Sequence, residues 1–255
     1  MMKKIPLILV CLCLFASPVF AFSSAIHALL GASTGAGASC GSCQGPASCS
    51  TAALGCTKRE TFDAATNCDS VPTATNCDFT WTTVTSAPTF NSTTHILYGT
   101  NSCYSAGSGV YQHTGNITAA DEYYEAFYVY VEALPNTAAV AANLNAGTTS
   151  ECMLRFTNTG TWTVQSAGGT LSAAGSTAIA AGNGYYVKLR AKIGTGANAQ
   201  CQGWVSANGT TWTDTLSSND GTWTAQLTRG YIGANNTTAE YHFDDWRMYT
   251  EDITW

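Results

Sequence analysis

The sequence predicts an all-β protein, a two-sheet antiparallel sandwich, and three observations lead there. Two segments alternate apolar and polar residues with the two-residue period of a strand. Gly/Asn-rich turn clusters recur at short intervals, and helical periodicity is almost missing.

The first alternating segment is 125–134. Phe127, Val129, Val131 and Ala133 fall on one face, and Tyr124, Tyr128, Tyr130 and Glu132 on the other. The second is 185–193, with Tyr185, Val187, Leu189, Ala191 and Ile193 facing inward and Tyr186, Lys188, Arg190 and Lys192 outward. Further strands are expected at 152–156, 161–165, 201–205, 211–214, 229–233 and 241–249. Asn145-Ala146-Gly147, Gly182-Asn183-Gly184, Ala207-Asn208-Gly209 and Ser218-Asn219-Asp220-Gly221 supply turns between them.

Ahead of the strands stands an export signal. Lys3 and Lys4 precede an apolar run over 5–15, and Ala16-Ser17-Pro18-Val19-Phe20-Ala21 offers a cleavage site, so residues 1–21 are expected to be removed. The run is shorter than the roughly 20 residues a membrane-spanning helix needs. The protein is therefore expected to be secreted, periplasmic or on the cell surface, and not membrane-spanning once cleaved. Of 10 bases, Lys3 and Lys4 leave with the signal, so 8 remain against 16 acids, a net charge of −8. Such a surface repels phosphate backbones and argues against a nucleic-acid partner.

Of 11 cysteines, Cys11 and Cys13 also leave, and 9 remain: Cys40, Cys43, Cys49, Cys56, Cys68, Cys77, Cys103, Cys152 and Cys201. Outside the cytoplasm most should pair, and the odd one is buried, reactive or joined to another chain. Cys152 with Cys201 and Cys77 with Cys103 are the pairings put forward. Residues 22–57 form an appendage rich in Gly, Ala and Ser, too poor in apolar side chains to build a core. Its four cysteines suit a two-disulfide knot or a metal knuckle. Cys40-Gly41-Ser42-Cys43 has zinc-like spacing that Cys49 and Cys56 do not repeat, and export favours disulfides.

The remaining residues, 58–255, carry a family resemblance. Gly184-Tyr185-Tyr186-Val187-Lys188-Leu189-Arg190-Ala191 leads to Gly203-Trp204-Val205-Ser206-Ala207-Asn208-Gly209-Thr210-Thr211-Trp212-Thr213, and the chain closes with Tyr241-His242-Phe243-Asp244-Asp245-Trp246-Arg247. This order resembles the concanavalin A-like lectin/glucanase jelly roll in its laminin-G-like form, with Glu60-Thr61-Phe62-Asp63 as the opening strand. The resemblance implies a jelly-roll sandwich. Glucanases of that fold carry a Glu-x-Asp-x-x-Glu string, which is missing here, so the resemblance implies fold and not hydrolysis. Related modules often hold a structural Ca²⁺ near their first and last strands. Glu60, Asp63, Asp244 and Asp245 are the oxygen ligands implied. Asp244, read as sharing a face with core-directed Trp246 and Met248, would otherwise cap a turn or pair with Arg247 or another base. Gly31-Ala32-Ser33-Thr34-Gly35 matches a nucleophile elbow but follows no strand.

Aromatic residues give the binding signal. Tyr128, Tyr130, Tyr186 and Trp204 face away from the apolar stripes. If their strands share a sheet they make, with Lys188 and Arg190, an aromatic and cationic floor for a sugar chain. Trp81, Trp162, Trp212 and Trp223 recur in Thr-Trp-Thr and read as packing at strand entries. Trp255, Ile253 and Tyr249 alternate like the end of an outer-membrane strand, but Glu251 interrupts them. The expected function is a non-catalytic module that binds a polysaccharide or glycan. The alternatives are a structural protein cross-linked to itself through its cysteine-rich segment and, third, a glycoside hydrolase.

Overall fold

The protein is described by a computed structural model, which covers residues 56–60, 81–85, 89–97, 102–107, 110–114, 117–250 and 252, with side chains at 93–97, 102–107, 117–250 and 252. The export signal, the knot at Cys40, Cys43 and Cys49, and Asp63, Cys68 and Cys77 lie outside the described residues.

Sixteen strands occur among them. They are β1 (Cys56–Glu60), β2 (Trp81–Thr85), β3 (Thr89–Ser92), β4 (Ser102–Ala106), β5 (Val110–Thr114), β6 (Glu122–Ala133), β7 (Ala139–Ala146) and β8 (Thr149–Phe156). There follow β9 (Trp162–Ser166), β10 (Asn183–Lys192), β11 (Gly194–Thr195), β12 (Gln200–Ser206), β13 (Leu216–Ser218), β14 (Thr222–Trp223), β15 (Arg229–Ala234) and β16 (Glu240–Tyr249). Eight strands form one sheet in the order β13-β12-β10-β6-β16-β4-β3, with β1 also on β16. Six form the other, β2-β5-β15-β7-β8-β9, and β11 with β14 makes a small ribbon. All recorded pairings are antiparallel. This is the all-β, two-sheet jelly-roll sandwich that the sequence predicts.

Alternation explains the layering. Phe127, Val129 and Val131 of β6, Val187 and Leu189 of β10 and Tyr241 and Phe243 of β16 are all buried and meet Leu154, Phe156, Trp162 and Val164 from the other sheet. The rings interlock edge to face, with Phe127 5.7 Å from Phe243 and Phe156 5.7 Å from Tyr241. Each such ring stabilises the sandwich by about 1.5–3 kcal/mol through burial. Trp162 and Trp223 are fully buried, in keeping with their reading as packing residues. Cys152 of β8 and Cys201 of β12 form the expected disulfide and tie the two sheets together across this core. Cys103 is disulfide-bonded as well, to a partner outside the described side chains.

Turn chemistry places the ends. Gly147, at φ 60°, makes the tight link between β7 and β8, where a side chain would be strained. The strand expected at 211–214 is a correction. Asn208 Oδ1 accepts the amides of Thr210 and Thr211, and this turn holds the segment off the sheet, so pairing with β12 waits until β13. No helix of the described residues is long and apolar enough to cross a membrane.

Candidate functional site

Five adjoining strands, β12, β10, β6, β16 and β4, present their polar faces on the outer side of the eight-stranded sheet. Their register sets Tyr186 opposite Tyr128, Lys188 opposite Trp204, and His242 between Tyr130 and Tyr104. The residues chosen from sequence, Tyr128, Tyr130, Tyr186, Lys188, Arg190 and Trp204, therefore stand on one sheet face.

The rings on this face already have protein neighbours. Tyr128 and Tyr186 meet edge to face at 5.4 Å. Gly209 lies so close to the Tyr186 ring that a Cβ there would come within 3.1 Å of it. The Lys188 ammonium sits 4.4 Å from the centre of Trp204 and 2.8 Å from Asp252. Arg190 donates to Glu122 at 2.7 Å, to Gln200 at 2.9 Å and to Gln202. Burial pushes the Glu122 carboxyl up, but hydrogen bonds from Arg190 and Tyr124 and the nearby Lys192 outweigh it and hold the group below the usual range. The Tyr128 hydroxyl is pushed up to about 12, by burial first and then by Tyr186, Asp244 and Tyr130.

Asp244 and Asp245 form a bulge. On β16, Asp244 pairs with Tyr128 and Arg247 with Ala126, so one residue too many lies between them, and Asp245 takes φ 47°. The bulge changes the phase of the pleat. Tyr241 and Phe243 point to the core before it and Trp246 and Met248 after it, while Asp244 stays on the face of His242. The expected sharing of one face by Asp244, Trp246 and Met248 is thus corrected. Asp244 accepts the amide of Leu97 at 2.7 Å and that of Asp245 at 2.6 Å. Asp245 is paired with Arg247, whose guanidinium donates from Nε at 3.0 Å and again from Nη2. Of the other residues implied as calcium ligands, Glu60 is opposite Trp246 on β1, with its side chain outside the described set, as is all of Asp63.

By holding Leu97, Asp244 anchors segment 93–97 over the sheet, and that segment delivers His95. Its backbone is left-handed, φ 57°, and its ring stacks on Tyr130 at 3.5 Å and 9°. The same ring lies edge-on to His242 at 4.8 Å. His242 Nε2 is 2.7 Å from Glu132 Oε2, and its Nδ1 is 3.4 Å from Ser102 Oγ. The Ser102 hydroxyl donates to the Thr94 carbonyl at 3.0 Å. A carboxylate only accepts, so the short contact is a donation from the Nε2–H of His242 to Glu132, and Nδ1 is left facing the Ser102 hydroxyl at the longer distance. Burial holds His242 below its ordinary pKa against the opposing pull of Glu132. Tyr104 donates to Glu240 at 3.0 Å and is pushed up to about 12, chiefly by burial and then by that carboxylate.

His95, Glu132 and His242 were missed in sequence reading because they are scattered along the chain. A visible hint was Glu132 on the same face as Tyr128 and Tyr130. A separate cavity of about 250 Å³ at β7, β8 and β15 is lined by Asn143, Asn145, Met153 and Tyr231 among others, with no carboxylate, imidazole, Lys or Arg in its lining.

No protein-family model matches the sequence, and no curated protein matches it either. The fold is shared with solved structures. The endo-β-1,4-glucuronan lyase of the fungus Trichoderma reesei superposes at a TM-score of 0.52 with 10% identity, over 67% of this chain and 91% of that one. The marine alginate lyase of Aplysia kurodai gives 0.47 and 13%, over 64% and 87%. The sialidase of Trypanosoma rangeli gives 0.43 and 14%, over 60% and 25%. These likenesses concern the fold. They correct one expectation: the chain was read as non-catalytic because the Glu-x-Asp-x-x-Glu string is missing, and a solved structure that shares its fold is an enzyme.

Proposed function

We propose that this protein is a carbohydrate-active enzyme, exported from the cytoplasm, that receives a polysaccharide across the outer face of the eight-stranded sheet and cleaves it by β-elimination. The observation that carries the proposal is the convergence on one face of a Glu132 carboxylate held by His242 and a Tyr104 phenol that stays protonated, beside a band of aromatic and cationic side chains.

In such an elimination, a base removes the proton on the carbon next to a uronate carboxyl. The electron pair becomes a double bond, the neighbouring C–O bond breaks, and an acid protonates the leaving oxygen. The Glu132 carboxylate, open to solvent and held by the Nε2–H of buried His242 at 2.7 Å, suits the base. Tyr130 and Tyr104 suit the acid. The Tyr104 ring lies 4.7 Å from His242, and its raised pKa keeps its proton in place. Tyr128, Tyr186, Lys188, Arg190 and Trp204 would hold the rest of the chain, mostly through edges and hydroxyl contacts, because neighbours already cover part of their rings. A solved structure of similar fold being named as a lyase supports the reading by analogy.

The test is incubation of the mature protein with glucuronan, alginate and pectate while following the ultraviolet absorbance of an unsaturated sugar end. Product from one polymer, lost in Glu132→Gln and reduced in Tyr130→Phe, is the expected result. Polymer bound with no product, or product unchanged in both variants, would refute it.

A further inference from the structure

A buried carboxamide needs a partner at each of its two ends. On β7, Leu144 points to the core, so Asn143 and Asn145 on either side of it point to the outer face of the six-stranded sheet. The register sets Asn143 between Met153 of β8 and Tyr231 of β15, and Asn145 opposite Ser150 of β8. These side chains line the cavity of about 250 Å³ at β7, β8 and β15. Asn145 is only 2% exposed, and its Oδ1 has no hydrogen-bond partner among the described residues. The Oδ1 of Asn143 has none either, while its Nδ2 donates to the Ser150 hydroxyl at 3.4 Å. Turning the Asn143 carboxamide over would exchange its ends and still leave one of them unpaired. Buried acceptors without donors destabilise a fold and are rare, so two of them in one cavity mark a place where donors arrive from outside the chain.

We propose that this cavity binds one neutral sugar residue. Hydroxyls suit it, because each can donate to a carboxamide oxygen or accept from a carboxamide nitrogen. The lining is two-sided, as a pyranose is. Val140, Met153 and the Tyr231 ring offer apolar surface to the C–H face of the sugar, and the asparagines meet its hydroxyls. Water would answer the carboxamides but gain nothing from the apolar wall. Exposed Asn235, also in the lining, has its Oδ1 taken by the Val140 amide at 2.8 Å, which leaves its Nδ2 as the donor for a ligand. Charge then selects among sugars. The lining holds no Lys, Arg, His or carboxylate, so a uronate would be stripped of water there with no opposing charge. The volume lies just under the roughly 300–1,000 Å³ of drug-sized sites and suits a single ring. The site stands on the opposite side of the sandwich from the aromatic and cationic face and does not rest on the elimination reading. Occupied, it would anchor the protein to a neutral glycan and leave the other sheet's outer face open.

The experiment adds glucose, galactose, mannose and xylose one at a time to the full mature protein, with glucuronate as the charged counterpart, and reads saturation transfer from protein to sugar by NMR. A ligand of about twelve heavy atoms should bind with a Kd on the order of millimolar. At least one neutral sugar is expected to bind, and glucuronate at least about tenfold more weakly. Asn143→Leu and Asn145→Leu should each weaken binding at least about tenfold. Their melting temperatures without sugar should equal or exceed the parent's, because an apolar side chain replaces an unpaired acceptor, and this separates lost binding from lost folding. Absence of transfer to all four neutral sugars overturns the proposal and leaves water to fill the cavity. Transfer undiminished in both variants, or stronger for glucuronate, places the sugar on another surface and overturns it as well. Cleavage of uronate polymers is assayed separately, so failure of either reading leaves the other standing.

Discussion

Replacing both Cys152 and Cys201 with alanine tests how the two sheets are held. The bridge joins β8 to β12 with its Cα atoms 5.0 Å apart and 49 residues of sequence between them. On the chain-entropy account, closing a loop of that length removes freedom from the unfolded chain worth about 4 kcal/mol at 25 °C. For a domain of roughly 150–250 residues, each kcal/mol moves the melting temperature by about 2–4 °C. The double variant should therefore melt about 8–16 °C lower, and its urea dependence should steepen because the unfolded chain exposes more surface. The double substitution is preferable to a reducing agent, because Cys103 is bonded too and reduction would report both bridges. Differential scanning calorimetry and urea titration followed by tryptophan fluorescence give both quantities. A fall of less than about 3 °C with an unchanged urea slope would refute the entropic argument and mean that packing between the sheets constrains the chain without the bond.

Two other outcomes follow from buried and crowded positions. Glu125 is fully buried in the core. Burial pushes its carboxyl well above the usual range, against the Trp246 indole that donates to Oε1, while Oε2 has no partner. Its folded-state pKa is raised, so its contribution is fully present below the unfolded value of about 4.3 and is lost as pH rises toward the folded one. Glu125→Gln should be more stable than the parent by about 1–3 kcal/mol at pH 7, with the gap closing near pH 4 in urea titrations at the two pH values; equal gaps would contradict the sign. Gly184 stands against Tyr128, whose hydroxyl oxygen would lie 1.8 Å from an added Cβ. Gly184→Ala should cost about 1–3 kcal/mol and push Tyr128 off the sheet face, seen as lower thermal stability together with altered tyrosine circular dichroism in the near ultraviolet.

The strands that alternate cleanly were legible. The segments 125–134 and 185–193 lie within β6 and β10 except for their last residues, and their inward and outward faces are those the two-residue period assigns. β7 was not legible, because Ala139 to Ala146 mixes small and polar residues and is buried on both sides at several positions, which blurs the period. The 211–214 segment had the composition of a strand but was overruled by the Asn208 turn beside it. Half of the candidate site was visible as an aromatic and cationic stripe. The other half, His95 and His242, comes from residues 147 positions apart in sequence. They meet only because β16 runs beside β6 and because a hydrogen bond to Asp244 pins the segment before β4. No local pattern encodes such a meeting.

The bulge at Asp244 and Asp245 is what makes this meeting compatible with a packed core. In an unbulged β16, residues 242 and 244 would share the face of 246 and 248, since side chains alternate strictly. With Trp246 and Met248 buried, His242 and Asp244 would then be driven into the core between the sheets, each needing a partner there. With His242 and Asp244 outward, Trp246 and Met248 would instead be forced into solvent. One extra residue removes the conflict, and Asp245 bears its cost in a left-handed conformation held by Arg247. The same extra residue leaves the Asp244 carboxylate on the outer face, where it captures Leu97 and with it the segment bearing His95. A single irregularity in one central strand thus serves the core on one side of the sheet and assembles the polar cluster on the other. That coupling explains why the chemistry gathers at this strand and not along the more regular β10 and β12.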